Sequence, residues 1–192
     1  MNETLRREPF LKGVNQPLIR ILCMTALKAD GVFIEFGVFT GLSFRNIYNA
    51  GNIGNRPVHA VDSFQGMPKS NDGRENLRFP PGGFKLEAGA VTLRFAYPDA
   101  IIHEGLIPGI LDEIDIDSIA FAHIDLDHYV PTLAALRWTW QRLSEFGIVC
   151  IHDYYHHDNM SASRAVKEWA AENDLAYIGL CDTSIFYWKG VS

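Results

Sequence analysis

Three observations predict an α/β fold: a seven-stranded, mostly parallel sheet with an antiparallel last strand and helices on both faces. Short β-branched or aromatic runs recur at 32–36, 57–61, 100–103, 119–124, 147–151, 176–179 and 184–188. Stretches of helical periodicity lie between several of them, and strands that alternate with helices pair in parallel through crossovers. Only residues 180–183 separate the last two runs, too few for a crossover helix, so the final strand is expected to return antiparallel beside its predecessor.

Taken in order, residues 1–30 are expected to form an N-terminal helical segment. The first strand, 32–36, runs into Glu35-Phe36-Gly37-Val38-Phe39-Thr40-Gly41-Leu42-Ser43, a glycine-bearing turn that opens a helix. The second strand ends at Asp62 and leads into a polar, Gly/Pro-rich stretch, so residues 65–95 are expected to be an insertion that faces substrate or acts as a lid. The third strand ends at Glu104. The fourth is followed by Asp125 and Asp127, then by a helix whose apolar members Leu133, Leu136, Trp140 and Leu143 fall at i, i+3, i+7 and i+10. The fifth ends at His152 and Asp153, and Ala162, Ala165, Val166, Trp169 and Ala170 form the next apolar stripe. At 192 residues all this is one domain with one core.

Composition narrows the partners. With 47% hydrophobic residues the chain is not disordered, and a net charge of −6 without any Lys/Arg cluster argues against nucleic acid. The polar N-terminus and the lack of a long apolar stretch argue against a leader peptide and a membrane span. The three cysteines, Cys23, Cys150 and Cys181, are scattered, which indicates neither a disulfide framework nor a zinc ribbon. A cytoplasmic protein with a small-molecule ligand is expected.

Ligands of such sheets bind beyond the carboxyl ends of the strands, where strand order reverses. Glu35 and Gly37, Asp62, Glu104, Asp125 and Asp127, and His152 and Asp153 all fall at those ends. A single acid after a strand is ordinarily a turn former or a helix cap, but five in phase point to a site. The spacing of Gly37 and Gly41 is not that of a pyrophosphate loop, and the preceding Glu35 favours a ligand with an amino group. The exposed amides at the new helix favour a carboxylate or phosphate. S-adenosylmethionine carries both an amino group and a carboxylate, and Asp62 with Ser63 lies about twenty residues on, where an acid accepts the ribose hydroxyls. Phe64 is a candidate for stacking on adenine, against simple packing.

Asp125, His152 and Asp153 should meet at neighbouring tips and hold a divalent cation, because like charges brought together are costly without one. Oxygen donors suit Mg²⁺ and Mn²⁺, whereas the imidazole of His152 moves the preference toward Mn²⁺, Fe²⁺ or Zn²⁺. His156 and His157 extend the cluster, although adjacent histidines are more often solvent-exposed. A hydroxyl on such a metal becomes acidic, and Asp127, with His128 as the second choice, is the base that completes its deprotonation.

These residues resemble the macrocin O-methyltransferase family, metal- and S-adenosylmethionine-dependent sugar O-methyltransferases with a Rossmann-like class I fold. The likeness spans roughly 31–190 and rests on Ile34-Glu35-Phe36-Gly37-Val38 with Gly41 and Ser43, on Val61-Asp62-Ser63-Phe64-Gln65-Gly66-Met67-Pro68-Lys69, on Ile124-Asp125-Leu126-Asp127-His128-Tyr129, and on Phe146-Gly147-Ile148-Val149-Cys150-Ile151-His152-Asp153-Tyr154. It implies that Glu35, Gly37, Gly41, Ser43, Asp62 and Ser63 bind the cofactor. It further implies that Glu104 helps enclose adenine, that Asp125 serves both cofactor and metal, that Asp153 binds Mg²⁺, and that Asp127 is the base. The related catechol O-methyltransferases place their base three residues after the first metal Asp, which is His128 here. Where the family has a first acid after the fifth strand, this chain has His152. With little N-terminal extension to serve as a lid, enclosure of the acceptor falls to residues 65–95 or to another subunit of a homo-oligomer.

The leading expectation is therefore an O-methyltransferase acting on a sugar or polyhydroxylated small molecule. A catechol-like phenol O-methyltransferase, a metal-dependent glycosyltransferase using Asp125-x-Asp127, and a non-catalytic S-adenosylmethionine binder are the alternatives.

Overall fold

The structure, a computed structural model, describes residues 8–69, 80–155, 160–180 and 184–190, with side chains from 16 onward except that of Met160. Seven strands form one sheet in the order β3-β2-β1-β4-β5-β7-β6. They are β1 (Val32–Phe36), β2 (Val58–Asp62), β3 (Ile101–Glu104), β4 (Ile119–Ile124), β5 (Leu143–Ile151), β6 (Ile178–Gly179) and β7 (Ile185–Trp188). The first five pair in parallel, and β7 lies antiparallel between β5 and β6. The seven-stranded mixed sheet and its antiparallel last strand are as predicted. The insertion of β7 inside β6 is new, because periodicity does not encode which strand takes the edge.

Among the described residues five α-helices cover the sheet: α1 (Glu8–Ala26), α2 (Phe44–Ile53), α3 (Gly89–Ala96), α4 (Tyr129–Arg142) and α5 (Met160–Asn173). Side chains alternate across a strand, so the two faces have separate cores. On one face Phe33, Ala60, Phe121, Ile148 and Cys150 pack under Ile19 and Cys23 of α1, Phe44 and Ile47 of α2, and Leu93 of α3. On the other, Ile34, Phe36, Ala122, Ile124 and Val149 pack under Leu133 and Leu136 of α4 and Val166 and Trp169 of α5. No helix among the described residues is long and apolar enough to cross a membrane.

Two boundaries differ from the sequence reading. Leu143, the last member of the α4 stripe by periodicity, opens β5 instead, with Ile119 as its register partner. An apolar residue at a helix end satisfies a helical stripe and a buried strand equally, and pairing with β4 decides between them. Phe64 is 3% exposed and sits in the α3-side core, so it is a packing residue and not an adenine platform. Residues 70–79 of the expected 65–95 insertion, together with His156, His157 and Cys181, lie outside the described residues.

Candidate active site

Strand order reverses between β1 and β4, and the parallel ladder continues past their ends. Asp125 N–H donates to Phe36 O at 2.9 Å, and His152 N–H donates to Ile124 O at 2.9 Å. These bonds draw the tips of β1, β4 and β5 level, as expected for a switch-point site. Gly37, next in the chain after β1, has φ +82°, and a Cβ there would lie 2.0 Å from Asp125 O. Only glycine allows the first turn and the Asp125 loop to approach this closely.

Asp125 Oδ1 and Asp153 Oδ1 each lie 3.1 Å from His152 Nδ1. One ligand atom from each of these three half-buried residues falls within 4.8 Å of the others. Burial disfavours a charge on His152, but the flanking Asp125 and Asp153 carboxylates outweigh it and hold its pKa well above 6.5. The two carboxylates thus favour a proton on the imidazole between them. Asp153 adopts φ +59°, the left-handed conformation that turns its carboxylate back toward His152. One imidazole and two carboxylates converging from two strand tips suit a divalent cation.

Asp127 lies in the same cluster. Burial first, then the charges of Asp125 and Asp153, push its pKa well above 3.8, and it shares a hydrogen bond with Asp153. The expected base therefore holds its proton more tightly than an ordinary aspartate does. Thr132 fixes the loop that carries it: its hydroxyl lies 2.5 Å from Leu126 O and 2.7 Å from His128 O. His128, in extended conformation, occupies the cap position of α4 without a side-chain cap bond.

On the cofactor side, Asp62 ends β2 in register with Glu104 of β3. Its Oδ2 accepts from Val38 N and Phe39 N at 2.8 Å each, and its Oδ1 accepts from Phe64 N at 2.7 Å. A carboxylate offers about four acceptor sites, so Asp62 shapes the turn and keeps roughly one for a ligand hydroxyl. The hydroxyl of Ser63 accepts from Gln65 N at 3.2 Å. Gly41, at φ +80°, donates its N–H to Val38 O, and its own carbonyl accepts from the Tyr97 hydroxyl. Glu104 is exposed on β3. Phe39 and Phe84, both exposed, pack edge to face at 5.3 Å beside this turn.

Glu35 departs from the expected row of strand-end acids. It lies within β1, fully buried, with Oε1 2.6 Å from His123 Nδ1. Burial raises its pKa, while His123 and the Ser43 hydroxyl lower it. A ligand finds no accessible surface on this carboxyl. His123 and Thr132 were missed in the sequence, where they read as strand and helix interior. A signal existed for His123, a histidine in an otherwise apolar strand two residues before an aspartate.

A family model described as macrocin-O-methyltransferase (TylF) matches residues 20–190. CalS11, a calicheamicin methyltransferase, superposes with a TM-score of 0.81 at 22% identity, covering 97% of this chain and 82% of its own. The O-methyltransferase NovP gives 0.78 at 22% identity, covering 92% of this chain and 80% of its own. An O-methyltransferase from Bacillus cereus, solved in complex with SAH, gives 0.63 at 11% identity, covering 92% and 81%. No curated protein matches the chain in sequence.

Proposed function

Because this chain belongs to the macrocin O-methyltransferase family and is an S-adenosylmethionine-dependent O-methyltransferase, we propose that it methylates a hydroxyl of a sugar or other polyhydroxylated small molecule, assisted by a divalent cation on Asp125, His152 and Asp153. The observation that carries this reading is the convergence of those three side chains beside Asp127, one loop away from the glycine turn at Gly37. The relative CalS11 is a TDP-rhamnose 3′-O-methyltransferase, which supports a sugar hydroxyl as the acceptor.

The residues divide the work. Asp62, with Ser63 beside it, receives the ribose hydroxyls, and Glu104 with the exposed Phe39–Phe84 pair flanks the adenosine. The amides of Gly37, Gly41, Arg45 and Asn46 already donate to Val61 O, Val38 O, Gly41 O and Ser43 O, so the methionyl carboxylate falls to the other amides of this turn and helix start. Asp125 stands between the two halves and attracts the positively charged end of the cofactor. A cation bound to Asp125, His152 and Asp153 supplies Lewis acidity that lowers the pKa of the acceptor hydroxyl. Asp127 is the residue that would take up the hydroxyl proton, and His128 is the second choice. The remaining requirement is alignment of the hydroxyl oxygen with the sulfonium methyl, which the level strand tips provide.

Methyl transfer from S-adenosylmethionine to nucleotide sugars, glycosylated natural products and catechols, with Mg²⁺, with Mn²⁺ and after chelation, tests the reading. Cation-dependent methylation of sugar hydroxyls is expected. Methylation of catechols alone, or turnover unaffected by chelation, would refute it.

A further inference from the structure

We propose that Glu35 and His123 are a positioning pair: a buried clamp between β1 and β4 that holds the glycine turn and the Asp125 loop, and with them the start of α2, in the geometry that receives the methionyl part of the cofactor. This rests on the cofactor placement given above.

The two residues are register partners across the β1–β4 ladder, so their side chains emerge side by side on the α1/α2 face. Both are 0% exposed, and a 2.6 Å hydrogen bond joins them. Neither touches the surface where a ligand binds, so each acts through what it holds. Glu35 lies two residues before Gly37, and His123 two residues before Asp125. A bond between them therefore ties together the two tips that the missing Cβ of Gly37 allows to meet.

The start of α2 follows from the same turn: Ser43 makes no side-chain cap bond, and Arg45 N donates to Gly41 O at 3.1 Å, so the helix continues directly from the turn that the clamp holds.

Stability does not account for the pair. Enclosing two polar groups is costly, and an apolar pair of similar volume is often as stable or more so. Glu35 Oε2 and His123 Nε2 are in addition buried without hydrogen-bond partners, a further cost. What the pair contributes is a fixed spacing of the two tips.

The test is calorimetric binding of two probes, S-adenosylhomocysteine and 5′-methylthioadenosine, the second lacking the methionyl ammonium and carboxylate. Thermal melting confirms that each variant is folded. H123L and E35L are each expected to weaken S-adenosylhomocysteine about tenfold, the loss of one well-placed hydrogen bond, and to leave 5′-methylthioadenosine within about twofold. The double variant E35L/H123L restores an apolar pair, which guards against misfolding of the singles, and is expected to bind no more weakly than either single variant. H123N, which keeps a donor near the Nδ1 position, should recover most of the affinity, and E35Q, which keeps the acceptor without charge, should bind nearly as the unchanged protein does. A tenfold loss in E35Q with none in H123L would make Glu35 a direct ligand of the ammonium and overturn the proposal. Equal losses for both probes, or additive losses in the double variant, would overturn it as well. Failure of the cofactor placement itself shows in the unchanged protein, as equal affinity for the two probes.

Discussion

Replacing Gly37 with alanine tests the closest approach in the site. The added methyl would start 2.0 Å from Asp125 O, and Cβ atoms essentially never lie within 3.0 Å of a neighbour, so the two tips must part by about 1.0 Å. Gly37 also holds φ +82°, where a side chain costs about 1–3 kcal/mol. That loss lowers the melting midpoint by roughly 2–12 °C for a chain of this size. The larger effect falls on chemistry. A displacement of about 1 Å between reacting groups costs on the order of 10²-fold in rate, and here it separates the cofactor turn from the carboxylate that faces it. The assay is methyl transfer under saturating S-adenosylmethionine, with circular dichroism to show that the variant is folded at the assay temperature. A folded Gly37→Ala enzyme with kcat within threefold of the unchanged protein would refute the argument that the turn and the Asp125 loop must touch.

Four further outcomes are expected. Adding Mg²⁺ or Mn²⁺ at about 100 times its dissociation constant should contribute about 2.7 kcal/mol, a rise of roughly 5–10 °C in melting midpoint, and Asp153→Asn should abolish most of that rise in a thermal-shift assay. The rise should also grow with pH. The raised pKa of His152 means that its charge stabilises the metal-free fold below 6.5 and that this contribution is lost as pH climbs through the folded value. A cation must displace that proton, so a cation effect that shrinks from pH 6 to pH 8 would contradict the assignment. Asp127→Asn should lower kcat by about 10²- to 10⁴-fold while leaving S-adenosylhomocysteine affinity, measured calorimetrically, nearly unchanged; a larger loss in His128→Gln would transfer the base role to His128. Finally, burial and then the neighbouring His103 lower the pKa of His59 from 6.5 to about 4. The unfolded chain takes up a proton that the fold excludes, so stability is lost as pH falls from 6.5 toward 4. Denaturant midpoints should show that His59→Gln removes part of this loss, and an unchanged acid profile would sink the assignment.

Much of this molecule is set by local sequence. Apolar alternation in Ile119–Ile124 and the short link before Ile185–Trp188 determine parallel strands and an antiparallel return, since side-chain period and connection length are local quantities. The order of strand-end acids is local as well, and it named Asp62, Asp125, Asp127, His152 and Asp153 before any coordinates. Tertiary structure decided what pairing decides. It gave Leu143 to β5 because Ile119 stands opposite, and it sent Phe64 inward under Gly89, whose missing side chain leaves room for the ring. It removed Glu35 from the surface, because the residue facing it across the ladder is His123, 88 positions away in the chain. It also raised the pKa of Asp127, through burial first and then the nearness of Asp125 and Asp153. The sequence lists the charged groups, but their energies depend on mutual distance and burial, and only the folded chain sets those.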